Sequence, residues 1–411
     1  VYTGDVKRDL FTQARQLLVK GLFFLIPTQL GYHFWPEWAF VLGRRIDYLS
    51  PTLFFTDVLV LAIIILSLAQ VGRSLLNASK NQLFWLVILV VVMNLVFSVR
   101  PKVTIYYLIK LVEMVALGVI LSKQNSLPWK YFLAGVLING LLGLFQVVSG
   151  HTIGGIFWLL GERTFTADTP GIALHSPLSF SGGSMNLRAY GATAHPNILG
   201  SLITMAMLLL LGDGIIFLQS RLRLTVMILL AVGLWATGSR MAFLSLLAGL
   251  GVLIFKTIYR RPLIPLIFLS TVGIIFWLTA HSPRNKFTIF ERAGQFTVAG
   301  KLFVSRPLLG TGLGTYPAAA PSVTRSREGN IFQPVHNIFA LYLVETGLLG
   351  ASMSFFLFLK VRNRIRYDTP LFWALLVMAL GDHFLYTIQT GQLLTVAILA
   401  SSIFKLKDSK S

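Results

Sequence analysis

The sequence predicts an all-α fold: a polytopic transmembrane bundle of about twelve helices, with a large extracytoplasmic loop between the ninth and tenth. Three observations lead there. Of 411 residues, 55% are hydrophobic and 12% charged, about half the charged share of an ordinary soluble domain; the mean hydropathy is +0.74. Apolar runs recur at about the 20-residue length that crosses a bilayer. Lys and Arg collect in alternate connecting segments, as the positive-inside rule describes.

Taken in order, the apolar runs predict helices near 15–36, 52–71, 82–99, 102–122, 130–150, 195–212, 222–237, 240–257, 262–280, 336–359, 370–387 and 390–405. With the N-terminus inside, the cytoplasmic segments carry Lys7 and Arg8, Arg73 and Lys80, Lys123 and Lys130, Arg221 and Arg223, Arg260 and Arg261, then Lys360 to Arg366 and Lys405 to Lys410. Both termini are therefore expected in the cytoplasm, and residues 1–411 form a single transmembrane domain. Residues 1–14 are polar and basic, and no small-residue cleavage site of the signal-peptide kind follows them. The chain opens at Val1, from which we expect that an initiator residue has been lost. With no cysteine, the sequence excludes disulfides, thiolate catalysis and Cys-ligated metals. The net charge of +20 fits basic inner loops and membrane lipid, so no nucleic-acid partner is implied.

Two segments, 151–194 and 281–335, are too long and polar to be turns, and both fall on the outer side. The second holds Arg284, Lys286, Arg292, Lys301, Arg306, Arg325 and Arg327 against Glu291 and Glu328. Basic charge on that side calls for an anionic partner: a substrate or lipid headgroups. Arg292 opens an amphipathic stretch expected to lie as a helix on the membrane surface.

Helices that start on the outer face turn their free N–H groups and positive dipole ends outward, which suits anions. Three such starts carry unusual residues. Arg188 precedes His195-Pro196-Asn197, where Pro196 fits the first helical turn and His195 or Thr193 can cap. Thr237-Gly238-Ser239-Arg240 puts an arginine in the first turn of an apolar helix, a position that favours a wet cavity or the bundle interior, though snorkelling to the surface also accounts for it. Pro334-Val335-His336-Asn337 opens the tenth helix. A helix start disfavours an imidazolium, so a neutral His336 is a candidate general base; a purely structural histidine is the plainer alternative. No cluster of Asp and His with metal-ligand spacing is apparent. Arg188, Arg240 and Arg292 would instead supply fixed positive charge for a diphosphate leaving group. Gly310, Gly312 and Gly314 permit close backbone approach, but no GK[ST] follows them, so they are not read as a nucleotide loop.

Other charges have quieter readings. Lys110 and Glu113 are spaced to pair on one helix, Asp57 suits a helix start, and Glu345 reads as a helix-contact residue facing away from His336. Asp382-His383 reads as structural, with an orienting role for a catalytic group as the alternative.

The Arg188…His195-Pro196-Asn197 stretch, Thr237 to Arg240, Glu291-Arg292-Ala-Gly-Gln295, Arg306 to Gly314, and Val335-His336-Asn337…Glu345-Thr-Gly-Leu-Leu-Gly350 together resemble the O-antigen ligase/polymerase family of lipid-linked glycan transferases. The resemblance implies an enzyme of the cell inner (cytoplasmic) membrane that moves a glycan from undecaprenyl diphosphate to an acceptor sugar on the outer face, with no metal or nucleotide cofactor. The acceptor would be lipid A-core for a ligase, or a second carrier-linked unit for a polymerase. His336 and Arg292 would be the catalytic residues, Arg188, Arg240 and Arg292 the diphosphate-binding ones, and His195, Asn337 and Arg306 supporting ones. Backside attack would make the transfer inverting. A transporter or channel for a small anion is the alternative that the same outer cations allow.

Overall fold

The computed structural model describes residues 2–175, 186–212, 219–258, 283–324 and 332–403. The chain is mostly helical, and its apolar helices make it a membrane protein. Among the described residues four helices are long and apolar enough to cross a membrane: Pro101–Leu121, Trp129–Ser149, Ser220–Thr237 and Ile338–Arg364. The expected helix at 262–280 lies outside the described residues.

Helix α1, Tyr2–Leu25, ends about eleven residues before the expected limit. Pro27 is the reason: proline cannot continue the ladder and its ring disfavours helix at the residue before it. Thr28 Oγ1 closes the end by donating to the Leu25 carbonyl at 2.7 Å. The chain then makes an extended excursion instead of more helix. Strand β1 (Gly31–His33) pairs antiparallel with β4 (Thr52–Phe54), and β2 (Phe40–Val41) pairs with β3 (Arg44–Arg45) inside the loop they close. A third pair, β5 (Leu174–His175) with β6 (Asn186–Leu187), corrects the all-α expectation in the same small way.

The expected span at 52–71 is two helices, α2 (Phe55–Ile65) and α3 (Leu68–Ser79), bent by 77°. Ser67 leaves helical geometry between them, and α3 carries Gln70, Arg73, Ser74 and Asn77 where a membrane helix would carry apolar residues. Helices α4 (Gln82–Val96), α5 (Pro101–Leu121) and α6 (Trp129–Ser149) follow close to expectation. Then come α7 (Pro196–Leu211), α8 (Ser220–Thr237), α9 (Arg240–Ile258), α10 (Pro283–Ser305), α11 (Ile338–Val361), α12 (Pro370–Gly381) and α13 (Gln389–Ile403).

Helix α7 is the axis of the bundle. Fourteen of its sixteen residues, including Leu199, Leu202, Ile203 and Ala206, are buried, the pattern of a helix surrounded on all sides. It packs against α6, α8, α9 and α12, so its N-terminus falls at the centre of one end of the bundle. Two buried amides on α6 hold the approach to that N-terminus. Gln146 Oε1 accepts from the Tyr190 and Gly191 amides at 3.2 and 2.9 Å, and Asn139 Oδ1 from the Ala192 amide at 2.8 Å.

The 306–314 stretch is scaffolding for α11. At Gly347 the helix breaks, with φ +65° and ψ −172°, and the kink receives the loop backbone to backbone. A Cβ on Gly347 would stand 2.3 Å from the Leu308 carbonyl oxygen, and one on Gly310 (φ +71°) would stand 2.5 Å from the Glu345 carbonyl carbon. Only glycine fits both the torsion and the contact. The Thr311 amide donates to Val344 O at 3.0 Å and Leu348 N to Pro307 O at 2.8 Å. Glu345 takes the role of contact residue: its carboxylate accepts from the Gly314 and Tyr316 amides and the Tyr386 hydroxyl at 2.9, 3.1 and 2.8 Å.

Candidate functional site

The turn ahead of α7, the α8–α9 turn, one face of α10, the start of α11 and the break after α12 meet at the same end of the bundle. Arg188 joins the first two. Its Nε donates to the Thr237 carbonyl at 2.5 Å and its Nη2 to Asn197 Oδ1 at 2.9 Å. The arginine expected to bind diphosphate therefore also ties the Thr-Gly-Ser-Arg turn to His-Pro-Asn. Asn197 passes the connection on, donating from Nδ2 to Asp382 Oδ2 at 3.2 Å. Asp382 ends α12, and its Oδ1 accepts the His383 and Phe384 amides at 2.7 and 3.4 Å.

His336 stands beside this pair, its ring centroid 5.0 Å from that of His383. Its Nδ1 lies 2.7 Å from Gln295 Oε1. An amide oxygen only accepts, so with Oε1 as the near atom Nδ1 carries the hydrogen. In the neutral ring the remaining nitrogen, Nε2, is then the basic one. Burial holds the His336 pKa below the ordinary value of 6.5; Asp382 pulls it upward and Arg292 pushes it further down. A base that is neutral at physiological pH results.

Arg292 sits one helical turn before Gln295 on α10, on the same face. Its charge acts on His336, on His383 and on Arg240, so Arg240 and Arg292 lie within electrostatic reach of each other. Neither makes a salt bridge among the described residues. Two nearby guanidinium groups without carboxylate partners create a field that favours an anion between them.

The expected supporting residues divide. His195 caps α7: its Nδ1 accepts the Asn197 amide at 3.2 Å, and burial, with Arg188 nearby, brings its pKa down to about 3, which keeps that nitrogen an acceptor. Asn337 caps α11, accepting from Ala340 N at 2.8 Å, and donates to the Leu380 carbonyl at 2.9 Å. Arg306 is placed elsewhere, donating to the Phe97 carbonyl at 3.1 Å. Sequence reasoning gives Gln295 and Asn197 no site role, and gives Asp382 and His383 an orienting role only as the alternative to a structural one. Their one legible signal was Asp382-His383, two ionisable groups inside an apolar run.

His336, Asp382 and His383 also form a set the sequence hid, with candidate ligand atoms all within 4.8 Å of one another. Two imidazoles and a carboxylate are a zinc-type donor set, but zinc holds its ligands at about 2.0–2.2 Å, so these side chains would have to draw together beside the Arg292 cation.

Next to the cluster opens a cavity of about 700 Å³, a size that suits a small ligand or a few sugar rings. Asn197, His336, Asp382 and His383 form one wall, while His33, Tyr48, Tyr106 and Trp158 bring aromatic rings to the others. Arg188, Arg240 and Arg292 are not among its lining residues. The expectation of four groups around one pocket is thus refined: the guanidinium groups reach the histidine cluster from outside this cavity.

One end of the bundle thus gathers arginines and a neutral histidine, an arrangement whose charge suits an anion. Residues 225–355 match the family model described as O-antigen ligase, so over that segment the chain is similar to that family. A search of curated protein sequences gave no match.

Proposed function

We propose that the protein is a metal-independent, inverting glycosyltransferase that moves a glycan from undecaprenyl diphosphate to an acceptor sugar on the outer face of the cytoplasmic membrane. In this reading about twelve helices span the bilayer, both termini are cytoplasmic, and 151–194 and 281–335 lie outside. The observation that carries it is the hydrogen bond between His336 and Gln295, which sets the imidazole against α10 one helical turn from Arg292.

The acceptor hydroxyl gives its proton to His336 Nε2 as its oxygen attacks the anomeric carbon. The new C–O bond forms as the bond to the diphosphate oxygen breaks, and the electron pair leaves on the diphosphate. Arg292 and Arg240, with Arg188 behind them, stabilise that departing charge. Asp382 steadies the imidazolium that forms. Attack from the side opposite the leaving group inverts the anomeric centre. The family match does not favour the alternative of an anion transporter.

The test is reconstitution in lipid with a carrier-linked glycan, offering lipid A-core and a second carrier-linked unit as competing acceptors. Transfer to either, surviving a chelator and lost in His336→Ala, is the expected result. Full transfer by His336→Ala would remove the base from the mechanism, and loss of transfer in chelator would return the His336–Asp382–His383 set to consideration as a metal site.

A further inference from the structure

Resting on that reading, we propose that the cavity beside His336 is the acceptor subsite, that it takes pyranose rings of the acceptor glycan, and that Tyr48 and Trp158 determine which acceptor is used. The argument begins with sides. The cavity reaches His336, Asp382 and His383 along one wall, and the three arginines do not line it. A backside displacement needs nucleophile and leaving group on opposite sides of the carbon. If the diphosphate sits with Arg240 and Arg292, the acceptor has to reach Nε2 from another direction, and this cavity provides one.

The wall chemistry fits a sugar better than a lipid chain, with Lys110 and Arg163 as further hydrogen-bond donors in the lining. A polyprenyl chain wants continuous apolar surface, whereas these walls include Asp47, Ser50, Thr52 and Gln333. Sugars pack their C–H faces on aromatic rings and bond their hydroxyls to planar polar groups, and both occur here. Trp158 is 65% exposed on a short turn bounded by Gly154 and Gly161, both left-handed or otherwise at positive φ. A large ring held in the open is poorly explained by packing alone. Tyr48 is the link to the chemistry. Its ring meets His383 edge-on at 5.3 Å, and the Tyr107 hydroxyl fixes its backbone by donating to Tyr48 O at 3.1 Å. His33, whose Nδ1 is 2.8 Å from Thr52 Oγ1, is held by the same β1–β4 pair.

The division along the chain points the same way. The O-antigen ligase match at 225–355 contains Arg240, Arg292 and His336. Tyr48, Trp158, His33 and Tyr106 all lie outside it. Two of the three donor arginines, with His336, fall within the matched segment, and acceptor choice falls to the excursion between α1 and α2 and the turn after α6.

The experiment uses the full chain in lipid, with lipid A-core and a carrier-linked unit as the acceptor probes. Acceptor is varied at saturating donor, then donor at saturating acceptor, for wild type, Trp158→Ala, Trp158→Phe and Tyr48→Phe. Loss of one stacking partner is expected to raise the acceptor KM about tenfold in Trp158→Ala, to leave the donor KM unchanged, and to be largely repaired in Trp158→Phe. Tyr48→Phe removes one hydroxyl without altering packing, so it reads the same subsite if Trp158→Ala fails to fold. An unchanged acceptor KM in a folded variant, or a shift in the donor KM alone, overturns the assignment. Absence of transfer by the wild-type protein to either acceptor would instead count against the transferase reading itself.

Discussion

Two buried polar clusters in this bundle are built on opposite principles. Within the membrane helices, Lys110 lies 2.5 Å from Asp57 and 2.9 Å from Glu113. Gln389 adds a further hydrogen bond to Asp57, and the Asp57 carboxylate also accepts the Phe54 amide at 2.9 Å. Every charge there touches its opposite, joining α2, α5 and α13. At the end of the bundle, Arg240 and Arg292 oppose each other and have no carboxylate partner among the described residues. A cluster that sets one lysine between two carboxylates pairs opposite charges across helices and holds them together. A cluster that keeps positive charge in excess is, in the proposed function, the place an anion would complete.

The largest expected effect comes from breaking the closed cluster. Lys110→Met leaves two buried carboxylates without their cation and should destabilise the fold by about 3–5 kcal/mol, read as a lower thermal unfolding midpoint in detergent. A midpoint like that of wild type would mean the cluster does not hold the helices. Arg292→Ala should do the reverse. Folding should survive, but transfer should fall roughly a hundredfold, the loss of about 2–4 kcal/mol of transition-state stabilisation. If its rate matched wild type, the contrast between the clusters would disappear.

Smaller effects sharpen the open cluster. Gln295→Ala removes the acceptor that keeps the hydrogen on His336 Nδ1, a bond contributing about 0.5–1.5 kcal/mol. A fall in kcat of about threefold to tenfold is expected, with both KM values unchanged. A change in KM alone would make Gln295 a substrate contact. The smallest effect is a shift in pH. Activity needs neutral His336, so it falls as pH drops through the histidine's pKa, and burial with Arg292 sets that limb below 6.5. Asp382 raises the same pKa, so Asp382→Asn should move the acid limb of kcat/KM to still lower pH. A limb that moved upward would show that Asp382 does not act on this imidazole.

Much of this contrast was legible in the sequence. Arg188, Arg240 and His336 stand beside Pro, Gly or Asn at helix starts, where capping chemistry makes boundaries readable and a charge at an apolar edge stands out. The helices from α4 to α9 were placed within about three residues because their apolar runs are unbroken. Other features left weaker traces. Gln295 is a neutral amide in an amphipathic stretch, and nothing about its type announces a histidine partner 41 residues later. Asp382 and His383 looked self-contained because they are neighbours, and only the packing of α12 against α7 and α11 brings them to Asn197 and His336. Pro27, Gly31 and Pro36 mark the β1–β4 excursion, but the apolar residues between them continue the hydropathy of α1 and hide it. Lys110 was paired with Glu113 by spacing, but its contact with Asp57 crosses between helices and no local pattern could give it.

Asn94 draws a consequence for how the chain is made. Its buried side chain in α4 donates to the Leu309 and Glu345 carbonyls at 2.9 and 2.8 Å, 215 and 251 residues further along the chain. At about 5–20 residues per second, the ribosome supplies the first of these partners roughly 10–40 s after α4 has emerged. Through that interval the Asn94 amide has neither carbonyl partner, and the final seating of α4 belongs to the last third of synthesis.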